Sequence, residues 1–307
     1  MTISLFIEQI LNGLQFGTML FLMSAGLTLV FGVMGLINLA HGSFYMIGAF
    51  VAAAFSEISD SFLIGIIFSF IFAMFAGAIT EIVIMRKIYK RDHLDQVLAT
   101  FALILLFSEG TRWIFGAYPL YLDIPNELNS SFSLPLGIMY SKYRMMIILV
   151  GIIIAIILYF LISKTLIGIR IKAGQNDREM ISALGVNITK LYTIVFAFGA
   201  GLAGLSGALI GAIQSVEVGM GEPVLILAFV VIVIGGIGSI KGAFVGALLV
   251  GVTDTMGRFL LPYFFSYFVD VASATSIGSS IASMSIYILM AIVLIFRPSG
   301  LYGIKKS

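Results

Sequence analysis

The chain has 307 residues, 60% hydrophobic and only 10% charged, with a mean hydropathy of +1.13. Soluble domains carry about a quarter charged residues, so composition excludes a soluble globular protein and predicts a polytopic membrane protein. The net charge of +2 points to no nucleic-acid partner, and the absence of cysteine excludes disulfides, thiolate chemistry and cysteine-based metal sites.

Residues Met1–Ile10 contain Glu8 and no lysine or arginine. They lack the basic start of a cleaved signal peptide and are expected to belong to the mature chain. A spanning helix needs about 20 mostly apolar residues. In chain order, spans are predicted over Phe62–Met85, Val97–Phe115 (interrupted by Glu109 and Arg112), Met145–Ile162, Leu191–Ile213 and Ser280–Phe296. Two further regions are apolar but broken. Residues 10–55 are interrupted at Asn38–Gly42, and residues 223–252 at the glycine-rich run Gly235–Gly242. The predicted fold is an all-α polytopic membrane domain over residues 1–307, with roughly eight to ten membrane segments, two of them broken or short.

Cytoplasmic loops accumulate lysine and arginine. Of the 17 basic residues, 12 fall in three segments. These are Arg86, Lys87, Lys90 and Arg91; Lys164, Arg170, Lys172, Arg178 and Lys190 within residues 163–190; and Arg297, Lys305 and Lys306 in the tail. Acidic residues Glu57, Asp60, Asp123, Glu127, Glu217, Glu222 and Asp270 occupy the alternate loops. Alternating helices therefore place residues 163–190 and the C-terminal tail in the cytoplasm. The side of the N-terminus stays open, because Met1–Ile10 has no basic residue and the break at Asn38–Gly42 leaves the parity undefined.

Pro223–Gly235 has 13 residues, a reach of only roughly 20 Å at helical rise against a hydrocarbon core of roughly 30 Å. The break that follows it is expected inside the membrane or at its inner edge, where irregular backbone must be surrounded by protein or line a watery cavity. Gly42-Ser43 followed by Gly48-Ala49-Phe50-Val51 echoes Gly238-Ser239 followed by Gly242-Ala243-Phe244-Val245. Paired, glycine-interrupted segments in two halves are a pointer to a transporter's substrate path.

Several motifs have a plainer reading. Gly199-Ala200-Gly201-Leu202-Ala203-Gly204 matches the dinucleotide fingerprint but lies inside a membrane helix, with no preceding strand. Gly199, Ala203, Gly207 and Gly211 recur every fourth residue, which is a small-residue face for close helix packing. Gly235–Lys241 fails as a phosphate loop, because Ile240 precedes the lysine and no serine or threonine follows it; any ATP is then hydrolysed by another chain. Gly204-Leu205-Ser206-Gly207 is similar to the serine motif of rhomboid intramembrane proteases, which need a histidine partner, and His41 is the membrane histidine at hand. His41 itself is either a packed core residue or, with Asn38 and the helix starting after Gly42, part of a solute path that favours an anionic group. His93 reads as a solvated loop residue, and two isolated histidines make no metal site. Glu81, one turn from Arg86, is expected to snorkel to the interface, and Asp254 lies near an outer helix end; neither is a midplane ion site.

Gly26-Leu27-Thr28-Leu29-Val30-Phe31-Gly32 through Ile37-Asn38-Leu39-Ala40-His41-Gly42 resembles the N-terminal signature of branched-chain amino acid ABC transporter permeases of the LivH type. So do Gly235–Gly238 with Ser239, Ile240, Gly242 and Ala243, and the tail Phe296–Gly303. Glu179-Met180-Ile181-Ser182-Ala183-Leu184-Gly185 is similar to the E-A-A-x-x-x-G pattern of importer permeases, with Met180 and Ile181 in place of its alanines. The resemblance covers nearly the whole chain. It implies a permease subunit in the bacterial or archaeal cytoplasmic membrane that carries leucine, isoleucine or valine. Its implied partners are a second permease, two ATPase subunits and an extracytoplasmic binding protein. It implies no cofactor and no catalysis by this chain. Residues 163–190 would then hold a cytoplasmic helix docking on the ATPase through Arg178, Glu179, Met180, Ile181, Leu184 and Gly185. Candidate path residues are Asn38, His41, Gly42, Gly236, Gly238 and Ser239, whose uncharged polar groups and backbone dipoles suit a zwitterion with an apolar side chain. Alternatives are a urea or short-amide permease of the same family, an ion-coupled secondary transporter, and a rhomboid-like protease.

Overall fold

The structure, a computed structural model, describes residues 3–89 and 91–303. Lys90, Lys305 and Lys306 of the basic segments lie outside the described residues, as do the side chains of Leu136, Asn176 and Arg178. The helices are α1 (Ile3–Met34), α2 (His41–Ser59), α3 (Phe62–Thr80), α4 (Arg86–Ile88), α5 (His93–Phe115), α6 (Lys142–Lys164), α7 (Leu166–Asn176), α8 (Arg178–Ala183), α9 (Ile188–Gly211), α10 (Gly221–Gly235), α11 (Ile240–Phe265) and α12 (Val271–Phe296). A π-helical turn, Glu81–Met85, joins α3 to α4. A small antiparallel hairpin pairs β1 (Ser131–Leu134) with β2 (Ile138–Ser141).

Among the described residues, eight helices are long and apolar enough to cross a membrane, with α3 to α4 counted as one, and α10 is a shorter apolar helix. The predicted all-α membrane architecture is therefore present, with non-helical backbone at both expected breaks. Helices α11 and α12 extend further than hydropathy suggests, to Phe265 and back to Val271. In α12 the hydroxyls of Thr275, Ser280 and Ser283 donate to the carbonyls of Val271, Ser276 and Ser279, four residues earlier. These polar side chains are satisfied inside the helix, which hydropathy does not register.

The chain forms two compact units. The first comprises the described parts of Met1–Phe21, Pro125–Ile153 and Phe229–Ser307. Here the start of α1 packs beside α6: Arg144 Nη1 donates to Asn12 Oδ1 at 2.6 Å, and the Cα face of Gly151 lies on Thr18. Advancing along α1 from Asn12 to Thr18 thus advances along α6 from Arg144 to Gly151, so the two helices run in the same direction. Against α11 the pairing is reversed, Gly13 with Val252 and Gly17 with Ala247 and Leu248. Helix α6 ends in the basic stretch 163–190, so α1 begins at the opposite end of the helix pair from that stretch. Packing thus ties the side of the N-terminus to that of residues 163–190, which the N-terminal residues alone leave open.

The second unit comprises Leu22–Ile124 and Ile154–Ala228. Helix α9 is buried at its centre. Its predicted small-residue face is the packing surface: a Cβ on Gly48 of α2 would collide with the backbone of Gly204, and one on Gly26 of α1 with the carbonyl of Gly199. From α3, Ser69 Oγ donates to the carbonyl of Gly204 at 3.0 Å. Lipid tails are as apolar as leucine, so close backbone approach and dispersion, rather than hydrophobic exclusion, hold these helices together. Glu81 does not snorkel. It is fully buried, and polar partners come to it instead.

Candidate functional site

In the second unit, α1 ends at Met34 and Gly35 turns the chain at φ +65°. The chain then doubles back. His41 Nε2 lies 3.3 Å from the carbonyl oxygen of Met23, which is 11 residues before the end of α1, roughly 16 Å back along that helix. The returning segment is irregular backbone with alternating burial: Leu36, Asn38 and Ala40 are buried, whereas Gly35 and Ile37 are exposed. The Asn38 side chain forms the turn that starts α2, its Oδ1 accepting from the Ala40 N–H at 3.1 Å. Its Nδ2 is buried with no hydrogen-bond partner among the described residues, and the same is true of Thr28 Oγ1. The His41 ring meets Phe44 edge-on at 6.3 Å, and Phe44 in turn packs on Phe107 and Phe196.

Gly42 sits directly on the carbonyl of Gly221, leaving no room for a Cβ on either glycine. The first turns of α2 and α10 therefore meet at their N-termini. Each such end carries partial positive charge and unsatisfied N–H groups, so the convergence favours an anionic group. Asn38, His41 and Gly42 are brought together here, and Gly221 joins them.

The other predicted residues lie in the first unit. Gly236 (φ +102°) and Gly238 (φ +79°) adopt backbone that L side chains rarely take. Ser239 Oγ accepts from the Gly242 N–H at 3.1 Å and caps α11. The break is filled by the tail. Leu301 and Tyr302 donate their N–H groups to the carbonyls of Ile234 and Gly235, both at 2.9 Å, and Gly236 abuts Ser299 and Gly303. The tail motif is thus the packing partner of the glycine-rich motif, a pairing that neither sequence announces.

Residues 163–190 fold into two helices, α7 and α8, where one short helix was predicted. Asp177 caps α8 by accepting the N–H groups of Glu179 and Met180 at 3.0 and 2.9 Å. At the other end Gly185 N–H donates to Ser182 O and Val186 N–H to Ile181 O, with Gly185 at φ +84°. Those two bonds make the left-handed termination that glycine favours. The predicted apolar contact divides: Met180 and Leu184 are 62% and 76% exposed, while Ile181 is buried. Glu179 is exposed, and the side chain of Arg178 lies outside the described residues.

A model of the family described as branched-chain amino acid transport system / permease component matches residues 9–296. The chain belongs to this family. Among curated relatives, this permease is 30% identical to the high-affinity branched-chain amino acid transport system permease protein BraD of Pseudomonas aeruginosa, over 97% of this chain and 96% of the relative. It is 28% identical to the corresponding LivH protein of Salmonella typhimurium and 27% identical to that of Escherichia coli, each over 97% of this chain and 96% of the relative. No solved structure matches. With eight candidate spans, this permease is a multi-pass protein of the cytoplasmic membrane. Sequence reasoning missed Thr28, Gly221 and the tail residues Leu301 and Tyr302 at the breaks. Thr28, Leu301 and Tyr302 stood in the LivH-like motifs, which was the available signal; Gly221 stood in none.

Proposed function

We propose that this permease is the translocating subunit of an ABC importer for leucine, isoleucine and valine. It works with a second permease chain, two ATP-hydrolysing subunits and an extracytoplasmic binding protein. The observation that carries the reading is the family match over residues 9–296. Helix α8 supports it, being capped at both ends and turning Met180 and Leu184 outward within the basic stretch. In this reading Met180 and Leu184 enter a groove on the ATPase, Glu179 and Arg178 meet its rim, Ile181 anchors the helix, and Gly185 sets its angle to α9. Hydrolysis takes place on the partner chains, so this subunit is not an enzyme.

For the solute path we assign Asn38, His41 and Gly42. A buried amide N–H without an acceptor is costly; a solute carboxylate supplies the acceptor for Asn38 Nδ2, and the N-terminal end of α2 favours the same charge. Gly236, Gly238 and Ser239 are assigned separately, on the condition that the tail withdraws from their break as solute passes.

Reconstitution tests the whole reading. Radiolabelled leucine uptake into proteoliposomes should require ATP, the ATPase pair and the binding protein, with isoleucine and valine competing and urea not. Leu184→Asp should abolish co-purification of the ATPase, and Asn38→Ala should lower uptake in fully assembled complexes. Competition by urea would transfer the reading to an amide permease. Uptake by this chain alone under an ion gradient would make it a secondary transporter.

A further inference from the structure

Glu81 is a membrane-helix carboxylate that the reading above does not use, and it is completely buried. Its position depends on the π turn. In an α-helix, residues five apart point roughly 140° away from each other. The i→i+5 turn over Glu81–Met85 instead stacks Arg86 on Glu81, with Arg86 Nη2 donating to Glu81 Oε2 at 2.9 Å. Such turns concentrate at functional positions. Three further bonds surround the pair. Tyr89 OH donates to Glu81 Oε1 at 3.0 Å, Thr193 Oγ1 donates to Glu81 Oε2 at 2.7 Å, and Arg86 Nη2 also donates to Thr193 Oγ1 at 2.9 Å. The Tyr89 and Tyr192 rings meet edge-on at 5.4 Å.

Thr193 and Tyr192 belong to the opening turns of α9, which begins three residues after Gly185. The first turn of α9 also supports the cytoplasmic helices, with Leu191 Cδ2 3.8 Å from the Cβ position of Gly174 in α7. All these residues lie within the second unit. The route from α8 to the membrane is therefore short: the Gly185 turn, the Asn187 cap, the first turns of α9, and then the carboxylate at the end of α3.

We propose that Glu81 is a positioning residue for energy coupling. Its carboxylate, held by Arg86 and Tyr89, grips Thr193 so that displacement of α8 moves α9 and α3 as one body. The proposal rests on the reading of α8 as the ATPase-docking helix. Without the grip, α8 can still dock and ATP can still be hydrolysed, but the motion is lost between α9 and α3.

The test is uptake per ATP hydrolysed in proteoliposomes holding the complete transporter, compared across wild type, Glu81→Gln, Thr193→Val and Thr193→Ser at equal amounts of co-purified ATPase. Thr193→Val keeps the side-chain volume and removes the hydroxyl. It should lower the ratio by about tenfold, the scale of one lost hydrogen bond to a charged group. Thr193→Ser should keep the wild-type ratio, and Glu81→Gln should fall at least as far as Thr193→Val. If Glu81→Gln fails to insert, the two Thr193 variants decide by themselves. Equal ratios for Val and Ser would overturn the proposal and leave the docking reading standing. Wild-type complexes that show no ATP-driven uptake would overturn the docking reading, and this proposal with it.

Discussion

Leu301 donates its backbone N–H to the carbonyl oxygen of Ile234, 67 positions earlier, at 2.9 Å, and so ties the C-terminal tail to the end of α10. The last carbonyls of a helix have no partner within it, and α10 ends in a glycine-rich break instead of at a watery loop. The tail supplies the missing donors. Gly300 makes the approach possible, at φ +79° and against Gly236. Gly300→Ala should cost roughly 1–2 kcal/mol from the left-handed backbone alone and lower the melting temperature of the purified chain. Truncation after Arg297 should lower it further, because the carbonyls of Ile234 and Gly235 lose their donors.

The α2–α9 crossing predicts a contrast between two glycines. A Cβ on Gly48 would meet the backbone of Gly204, whereas one on Gly110 in α5 would meet nothing within 4 Å. Gly48→Ala should destabilise by about 1–3 kcal/mol, the cost of overpacking, or prevent accumulation in the membrane. Gly110→Ala should be neutral or stabilising by up to about 1 kcal/mol, from helix propensity. Thermal unfolding of the two variants in detergent separates them.

The parallel course of α1 and α6 predicts sidedness. The chain has no cysteine, so single cysteines can be introduced for labelling. A membrane-impermeant maleimide applied to intact cells should react with Ser4→Cys and not with Ser182→Cys. After permeabilisation both should react. Protection of Ser4→Cys in intact cells would reverse the orientation of α1.

Asp270 predicts a pH response at the start of α12. Its side chain accepts from the Ser273 N–H at 3.0 Å, and that bond holds its pKa below the ordinary value of 3.8. A depressed carboxylate stabilises the folded cap above the unfolded pKa and loses that contribution as pH falls through the lower folded value. Hydrogen exchange in the first turn of α12, corrected for its intrinsic pH dependence, should therefore rise below about pH 4. Asp270→Ala should show the faster exchange already at neutral pH, with no further acid-induced step.

The readable features were local ones. Uninterrupted apolar runs gave the spans because each helix must satisfy its own backbone in lipid. Clustered basic residues mark residues 163–190 as an expected cytoplasmic segment. Gly185, read as the end of the importer-like motif, closes α8 with a glycine turn that acts within a turn or two, whereas the Asp177 cap at its start came from the structure. The breaks at Asn38–Gly42 and Gly235–Gly242 were visible because glycines and polar residues disturb hydropathy where they stand.

Tertiary structure decided everything that depends on two distant segments meeting. Glu81 reads in the sequence as an acid near a helix end, free to snorkel. It is instead buried, because Thr193, 112 positions later, donates to it. The exposure of Met180 and Leu184 and the burial of Ile181 follow from where α8 lies on its neighbours, since three apolar residues in one short helix do not themselves say which face turns inward. The tail motif and the glycine break were both legible as motifs, but only the fold shows Leu301 completing the hydrogen bonds of α10. Local sequence sets the helices and their caps; the buried polar partners are set by which helices come together.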